Sequence, residues 1–537
     1  MRAVRAGFIS LCILSGCVER KEPQVGEAGG GYAAGGLIGD SLPEIAAALE
    51  SGETASEDLV EAYLARIERI DGSGPALQSV LSLNPDALAA ARAADAKRAR
   101  GEPLGLLHGV PILIKDNIET KDSMATTAGS LALKSNVTER DSPLVAGLRE
   151  EGAIILGKTN LSEWANFRSD DSISGWSGLG GQVRNPHMLD RSPCGSSSGS
   201  GAAVAASLAA GAVGTETNGS IICPANAAGI VGFKPTVGLV SQERIVPISS
   251  SQDVAGPMTK TVEGAALMLT AMATGPEKTD YVAALNVNAL SGKKIGVLRF
   301  AQGSNRDIIA LFDRAMKELQ SAGANVVEVA EFKEPDGFWE NARTVLECEF
   351  KVTVDAYLAG AAPAVTARSL EALIAFNKDH ADIELALFDQ SLFEKSLKCS
   401  GLDDAKYVAA RDLVQRVTRA DGIDRLLREH GVAALVSPSG PVAPRVDPIN
   451  GDVWPAWAGA GWMAAIAGYP HLTVPMGDVD GIPVGLSFIG ARNDDANVLT
   501  LGYAYEQRTK LRREPAYLRD AEERPEIAAA MRRKEQR

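Results

Sequence analysis

The chain has 537 residues, 45% hydrophobic and 23% charged, an ordinary globular composition that excludes wholesale disorder, collagen and a small disulfide scaffold. Lys and Arg number 54 against 68 Asp and Glu, a net charge of −14, which disfavours a nucleic-acid partner. His108, His187, His380, His430 and His471 are too dispersed for a His-x-x-x-His pair and no Cys-x-x-Cys occurs, so no locally encoded metal site is expected.

Met1 to Arg5 is a short cationic start, followed by the apolar run from Gly7 to Leu14. That run is too short to span a bilayer and reads as a secretory signal. It ends in Leu14-Ser15-Gly16-Cys17, which resembles a bacterial lipobox. The expectation is removal of residues 1–16 and acylation of Cys17, giving an exported lipoprotein held on the periplasmic side of a membrane by that anchor alone. Residues 17–40, rich in glycine, are expected to be the lipidated tether. The folded body is placed at 41–515, and a charged tail at 516–537 is expected to be a solvated or frayed helix.

Within the body, Ser41 with Glu44 and Thr54 with Glu57 each match a capping box that opens a helix. Leu59, Val60, Tyr63, Leu64 and Ile67 follow the second box at helical spacing. A third, Ala-rich helix is read at 86–100. Strand-like runs at 110–114 and 153–157 flank a helix at 143–151. A Gly/Ser/Asn-rich stretch, 169–201, leads into an Ala-rich helix ending near 210. Further strands are read at 294–298, 325–329, 433–436, 471–474 and 485–489, with helices at 307–322 and 494–507 and a mainly helical 335–430. Such alternation predicts an α/β fold: a single large domain with a central mixed β-sheet covered by helices. Cys194, Cys223, Cys348 and Cys399 are expected as buried thiols, since a chain of this size needs no staples.

Two serine-rich clusters carry the candidate chemistry. Ser192-Pro-Cys-Gly-Ser-Ser-Ser-Gly-Ser-Gly201 precedes the Ala-rich helix, and Gly214-Thr-Glu-Thr-Asn-Gly-Ser220 follows it. A helix out and an extended strand back cover similar distances, so Ser196 and Ser220 can meet at one end of the helix. Gly195-Ser-Ser-Ser-Gly199 also matches a nucleophile elbow centred on Ser197. That motif needs a preceding strand, and the chain there is irregular.

Lys115-Asp116-Asn117 after an apolar strand, together with these two clusters, resembles the amidase signature family. Val474-Pro-Met-Gly477, Gly481-Ile-Pro-Val-Gly485 and Ala504-Tyr-Glu506 extend the likeness, which runs from about 41 to 510. The resemblance implies the amidase signature fold, no cofactor or metal, and a Ser–cisSer–Lys triad. In it Ser220 is the nucleophile, Ser196 (after a cis bond from Gly195) the relay, and Lys115 the base. It also implies an oxyanion hole from the backbone of Thr217, Asn218, Gly219 and Ser220, supported by Ser197. A lysine serves as base only when neutral, so Lys115 must be desolvated. Cys194-Gly195 replaces the family's frequent Gly-Gly, and Ile222 its frequent Arg. With Asn160 to Phe167 and Ser172 to Trp176, these features are similar to bacterial peptide amidases. The implied substrate is a small-molecule or peptide amide, most specifically a peptide C-terminal amide, with no obligate protein partner. The alternatives are an amidase of other small or acyl amides, a chain like the glutaminase component of tRNA-dependent amidotransferases, and an inactive periplasmic binding lipoprotein.

Overall fold

The computed structural model describes residues 36–276 and 278–532; Cys17 and the signal-like segment lie outside them. The described strands, in chain order, are β1 (Val80–Leu83), β2 (Pro111–Lys115), β3 (Ile154–Thr159), β4 (Trp176–Ser177), β5 (Gly181–Gln182), β6 (Gly211–Glu216) and β7 (Val231–Lys234). They continue with β8 (Val254–Thr259), β9 (Lys294–Leu298), β10 (Asn325–Val329), β11 (Ala434–Pro438), β12 (His471–Val479) and β13 (Ile482–Ile489). Eleven of them form one sheet in the order β1-β3-β2-β6-β8-β7-β12-β13-β11-β9-β10, while β4 and β5 pair separately. β3, β2 and β6 run parallel, as do β11, β9 and β10, and antiparallel pairs join the two groups. This is the mixed, helix-covered α/β sheet expected. Every residue of β2, β3, β6, β7, β8, β11 and β13 is buried, whereas the two edge strands β1 and β10 carry exposed positions. Strands covered on both faces read as continuous apolar runs for this reason.

The Ser41 capping box forms: the Glu44 carboxylate accepts from the Ser41 N–H at 2.8 Å. The Thr54 box does not. The helix Ser56–Ile70 starts later and is capped from outside, where Asp95 of the helix Ala87–Ala99 accepts from the N–H groups of Ser56 (2.8 Å) and Glu57 (3.0 Å). A carboxylate there meets two otherwise unpaired donors at the positive end of the helix dipole. Glu57 pairs with Arg92 instead.

Two short helices, Ser198–Ala205 and Ile222–Ala228, pack on each other at the centre of the molecule and are buried throughout. Small side chains make this possible: a Cβ at Gly201 would come within 3.1 Å of the Pro224 carbonyl oxygen in the other helix. The first of these helices ends at Ala205 rather than near 210. Ser207 takes φ 57, and the Leu208 N–H turns back to the Ala203 carbonyl at 2.8 Å, a left-handed termination.

The 335–430 region is helical as expected, with Phe338–Ala359, Leu370–Asp379, Ser391–Ser396 and Ala405–Thr418 as its main helices. It carries a core of its own, in which Phe350 stacks on Phe393 (5.2 Å) and tilts against Phe167 (4.9 Å). The four cysteines are not free thiols. Cys194 pairs with Cys223 and Cys348 with Cys399, because folding brings their Cα atoms to 5.8 and 5.3 Å, inside bridging range.

Packing continues past both ends of 41–515. The buried Lys260 Nζ donates to the carbonyls of Gly39 (2.8 Å) and Asp40 (3.1 Å), and the Leu518 carbonyl accepts from Leu189 N–H at 2.7 Å. The helix Pro525–Met531 buries nothing and is solvated. Among the described residues no helix is long and apolar enough to cross a membrane.

Candidate active site

Lys115 ends β2, and β6 lies beside it in parallel register, Ile114 opposite Val213. The carboxyl ends of neighbouring parallel strands are where open α/β sheets place their ligands. Here they set Lys115 against the Gly214–Ser220 motif. Asp116 fixes the strand end: its N–H donates to the Thr159 carbonyl at 3.1 Å, and its carboxylate accepts the Thr127 N–H at 3.1 Å and the Thr127 hydroxyl. Lys115 itself is fully buried. Its Nζ lies 2.8 Å from Ser196 Oγ, 3.0 Å from Ser197 Oγ and 2.8 Å from Thr215 Oγ1. Burial pushes its ammonium down to about 7, against the opposing pull of the Asp253 and Glu216 carboxylates.

The Gly195–Ser196 peptide bond is cis, as the resemblance implies. The two serine clusters meet at the start of the helix Ser198–Ala205, where the Ser197 N–H donates to the Ser220 carbonyl at 3.1 Å. Gly219 takes φ +84, with nothing within 4 Å of the point a Cβ would occupy, so the chain turns sharply there and leaves its backbone open to a ligand. Immediately after Ser220, the Glu216 carboxylate accepts from the N–H groups of Ile221 (2.8 Å) and Ile222 (3.0 Å) and ties the loop to its helix. Thr217 is held at both ends. Its hydroxyl donates to Asp253 at 2.6 Å and its carbonyl accepts from Gln252 at 3.2 Å. Asp253 also accepts from the N–H groups of Ile248 and Ser249, and burial pushes its carboxyl up to about 6.

Ser197 takes a supporting place beside Lys115, whose Nζ lies 3.0 Å from its Oγ. It is fully buried beneath Lys115, its Oγ donating to the Thr215 carbonyl at 3.1 Å and accepting from the Thr215 N–H at 3.1 Å. A hydroxyl held this way is not an exposed elbow nucleophile. Sequence reasoning did not single out Thr215, Asn117 or Asp253 as site residues. Thr215 and Asn117 lie inside the Gly214 and Lys115 motifs, but Asp253 has no local signal. The histidines bond elsewhere: His471 to Ser487 (2.7 Å), His187 to the Ala228 carbonyl and His108 to the Ala94 carbonyl (both 2.9 Å). Burial holds His471 neutral, its pKa down at about 3. Among the described residues no group of His, Cys, Asp or Glu is placed to hold a metal ion.

A cleft of about 650 Å³ opens onto Gly195, Asn218 and Gly219. Its outer wall is aromatic, with Trp454, Trp457 and Trp462 among the lining residues. Trp164 and Phe167 pack into the core of the helical region, and Trp176 meets Phe388 edge-on at 5.2 Å.

Comparison with known proteins places the chain in a family. The amidase family profile matches residues 58–499. A probable amidase of Arabidopsis thaliana is 35% identical over 500 residues, 89% of this chain and 91% of that one. A glutamyl-tRNA(Gln) amidotransferase chain of Halorhodospira halophila is 35% identical over 508 residues, 87% of this chain and 97% of its own. The crystal structure of the peptide amidase from Stenotrophomonas maltophilia superposes with a TM-score of 0.83 at 46% identity, covering 89% of this chain and 98% of the other. The chain belongs to the amidase signature family and is an amide-hydrolysing enzyme.

Proposed function

We propose that the enzyme hydrolyses the C-terminal carboxamide of peptides, releasing ammonia through an acyl-enzyme on Ser220. The observation that carries this reading is the buried contact between Lys115 Nζ and Ser196 Oγ beside the Ser220 loop. A serine becomes nucleophilic when a base takes its proton. Neutral lysine has two N–H groups and one lone pair. Ser197 has already committed its proton to the Thr215 carbonyl, so it accepts one N–H of Lys115. Thr215 Oγ1, fixed by the Asn117 side chain at 3.0 Å, takes the other. The lone pair is then left for Ser196, which relays the proton from Ser220. The backbone N–H groups of Thr217, Asn218, Gly219 and Ser220 receive the oxyanion, where one such donor is worth about 3 kcal/mol. On leaving, the nitrogen takes the proton back from Lys115 through Ser196; water then repeats the cycle on the ester.

The identity of 46% to a peptide amidase, against 35% to an amidotransferase chain, and the aromatic cleft favour a peptide substrate. Release of ammonia from dipeptide amides, fatty acyl amides and glutamine, measured side by side, tests it. Turnover of a fatty acyl amide or glutamine without any dipeptide amide turnover would move the enzyme to another branch. We also propose export with acylation of Cys17; the lipobox-like Leu14 to Cys17 and the two disulfides support it, since disulfides persist in oxidising compartments.

A further inference from the structure

The aromatic cleft is not the only space that reaches the loop before Ser220. A second cavity of about 550 Å³ shares Asn166, Asn218 and Trp339 with it. These residues form a waist between two lobes. Asn218 stands two positions before Ser220, and Trp339, 48% exposed, rises from the first turn of the helix Phe338–Ala359. Beyond the waist the second lobe follows that helix past Ala342, Thr344 and Leu346 to meet Phe167 and Leu392. Arg343 at its wall pairs with Asp170, which also binds Lys395; Glu340 and Glu347 stand at the same wall, while Phe167, Ala342, Leu346, Leu392 and Ile466 supply the lobe's apolar surface.

A departing ammonia needs about the room of one water, roughly 30 Å³. The second lobe is far larger, and it opens at the same residue as the first. An amide carbon carries three groups in one plane: oxygen, acyl chain and nitrogen. With the oxygen turned into the backbone of 217–220, the other two diverge. The Asn218 waist lies between two spaces able to receive one each. Building on the amidase reading above, we propose that the second lobe seats a substituent on the scissile nitrogen, so that the enzyme hydrolyses N-substituted amides with apolar amine parts as well as primary carboxamides. In that reaction the Ser220 Oγ–C bond forms and the C–N bond breaks. The proton taken from Ser220 goes to the nitrogen, which leaves as a neutral primary amine. Water then cleaves the ester to carboxylate and free Ser220.

The test uses one peptide acyl group presented as its primary amide, its N-butylamide and its anilide. Wild type and two lobe-filling variants, Leu346→Trp and Thr344→Trp, are compared by kcat/KM. The expected result is that wild type releases butylamine and aniline. Each variant loses about tenfold or more on these substrates and stays within about twofold on the primary amide, the scale of discrimination a filled apolar pocket gives. Thermal unfolding checks both variants. They enter the lobe from different positions, so if one fails to fold the other decides. Primary amide turnover with no amine release from either N-substituted substrate overturns the proposal. So does an equal loss on all three substrates, which would place the acyl half in this lobe. Release of butylamine with no turnover of the primary amide would keep the lobe assignment and overturn the carboxamide reading instead.

Discussion

The hydrogen-bond partners of Lys115 Nζ are hydroxyls and a carbonyl, not a carboxylate. Burial therefore dominates its titration and brings it to about 7. Protonated Lys115 cannot act as base, and its neutral fraction falls tenfold per pH unit below the pKa. The logarithm of kcat/KM for a peptide amide should thus rise with a slope near one up to about pH 7 and then level off; a profile flat from pH 5 to 8 would count against lysine as base. Lys115→Ala should lose at least ~10²–10⁴-fold in turnover, while Ser220→Ala should abolish labelling by a fluorophosphonate. Thr215→Val removes an acceptor from the amine without touching Ser196 or Ser220. It should lower kcat by about tenfold to a hundredfold with little change in KM, and shift the acidic limb of the profile. Thr215→Ser should restore both, and a variant with an unaltered pH profile would leave Thr215 with a packing role only. Lys115 and Ser196, whose side chains the structure brings together, and Ser220, proposed as the nucleophile, were legible in the sequence because each sits in its own motif. Thr215 could not be joined to Lys115, because their contact depends on β2 lying beside β6, a pairing no local pattern specifies. Asp253 was out of reach for the same reason.

The elements most open to sequence reading were those with one clear period. The helix Arg306–Ser321 and strands β9 and β10 fall within a residue or two of expectation. Strands β7 and β8 and the helix Val262–Met272 were passed over. They lie in the middle of the sheet or against it, are almost wholly buried, and so lack the alternation that marks a half-exposed element. The Thr54 box failed because a carboxylate from another helix took the capping role. The cysteines were misjudged on size alone. Cys194 precedes the serine loop and Cys223 lies in the helix after Ser220, so their bridge fastens the two serine clusters across 29 positions of chain. Closing a loop of that length is worth about 3–4 kcal/mol. Cys223→Ser should lower the unfolding free energy by that order in a denaturant titration run without reductant, which leaves the Cys348–Cys399 bridge intact in both proteins. An unchanged midpoint would make the bridge dispensable.

Across the whole molecule, the sheet could be foreseen as mixed and helix-covered, but not its strand order, which is fixed by long-range pairing. If Cys17 is acylated, the protein should partition into detergent and take up labelled fatty acid. Cys17→Ala should stay in the aqueous phase, and its appearance in the detergent phase would sink the anchor.

The residues that meet Lys115 come from one continuous stretch, 115–220, whereas the aromatic wall over them comes from 300–462. The two stretches inherit change separately. A duplicated gene can rewrite its outer wall, even exchange the 449–460 loop as a cassette, while the Lys115 neighbourhood passes on unaltered. Such a layout lets a lineage change its diet of amides without reinventing how to break one, and hybrids that swap only the wall should carry the donor's preferences at the recipient's intrinsic acylation rate.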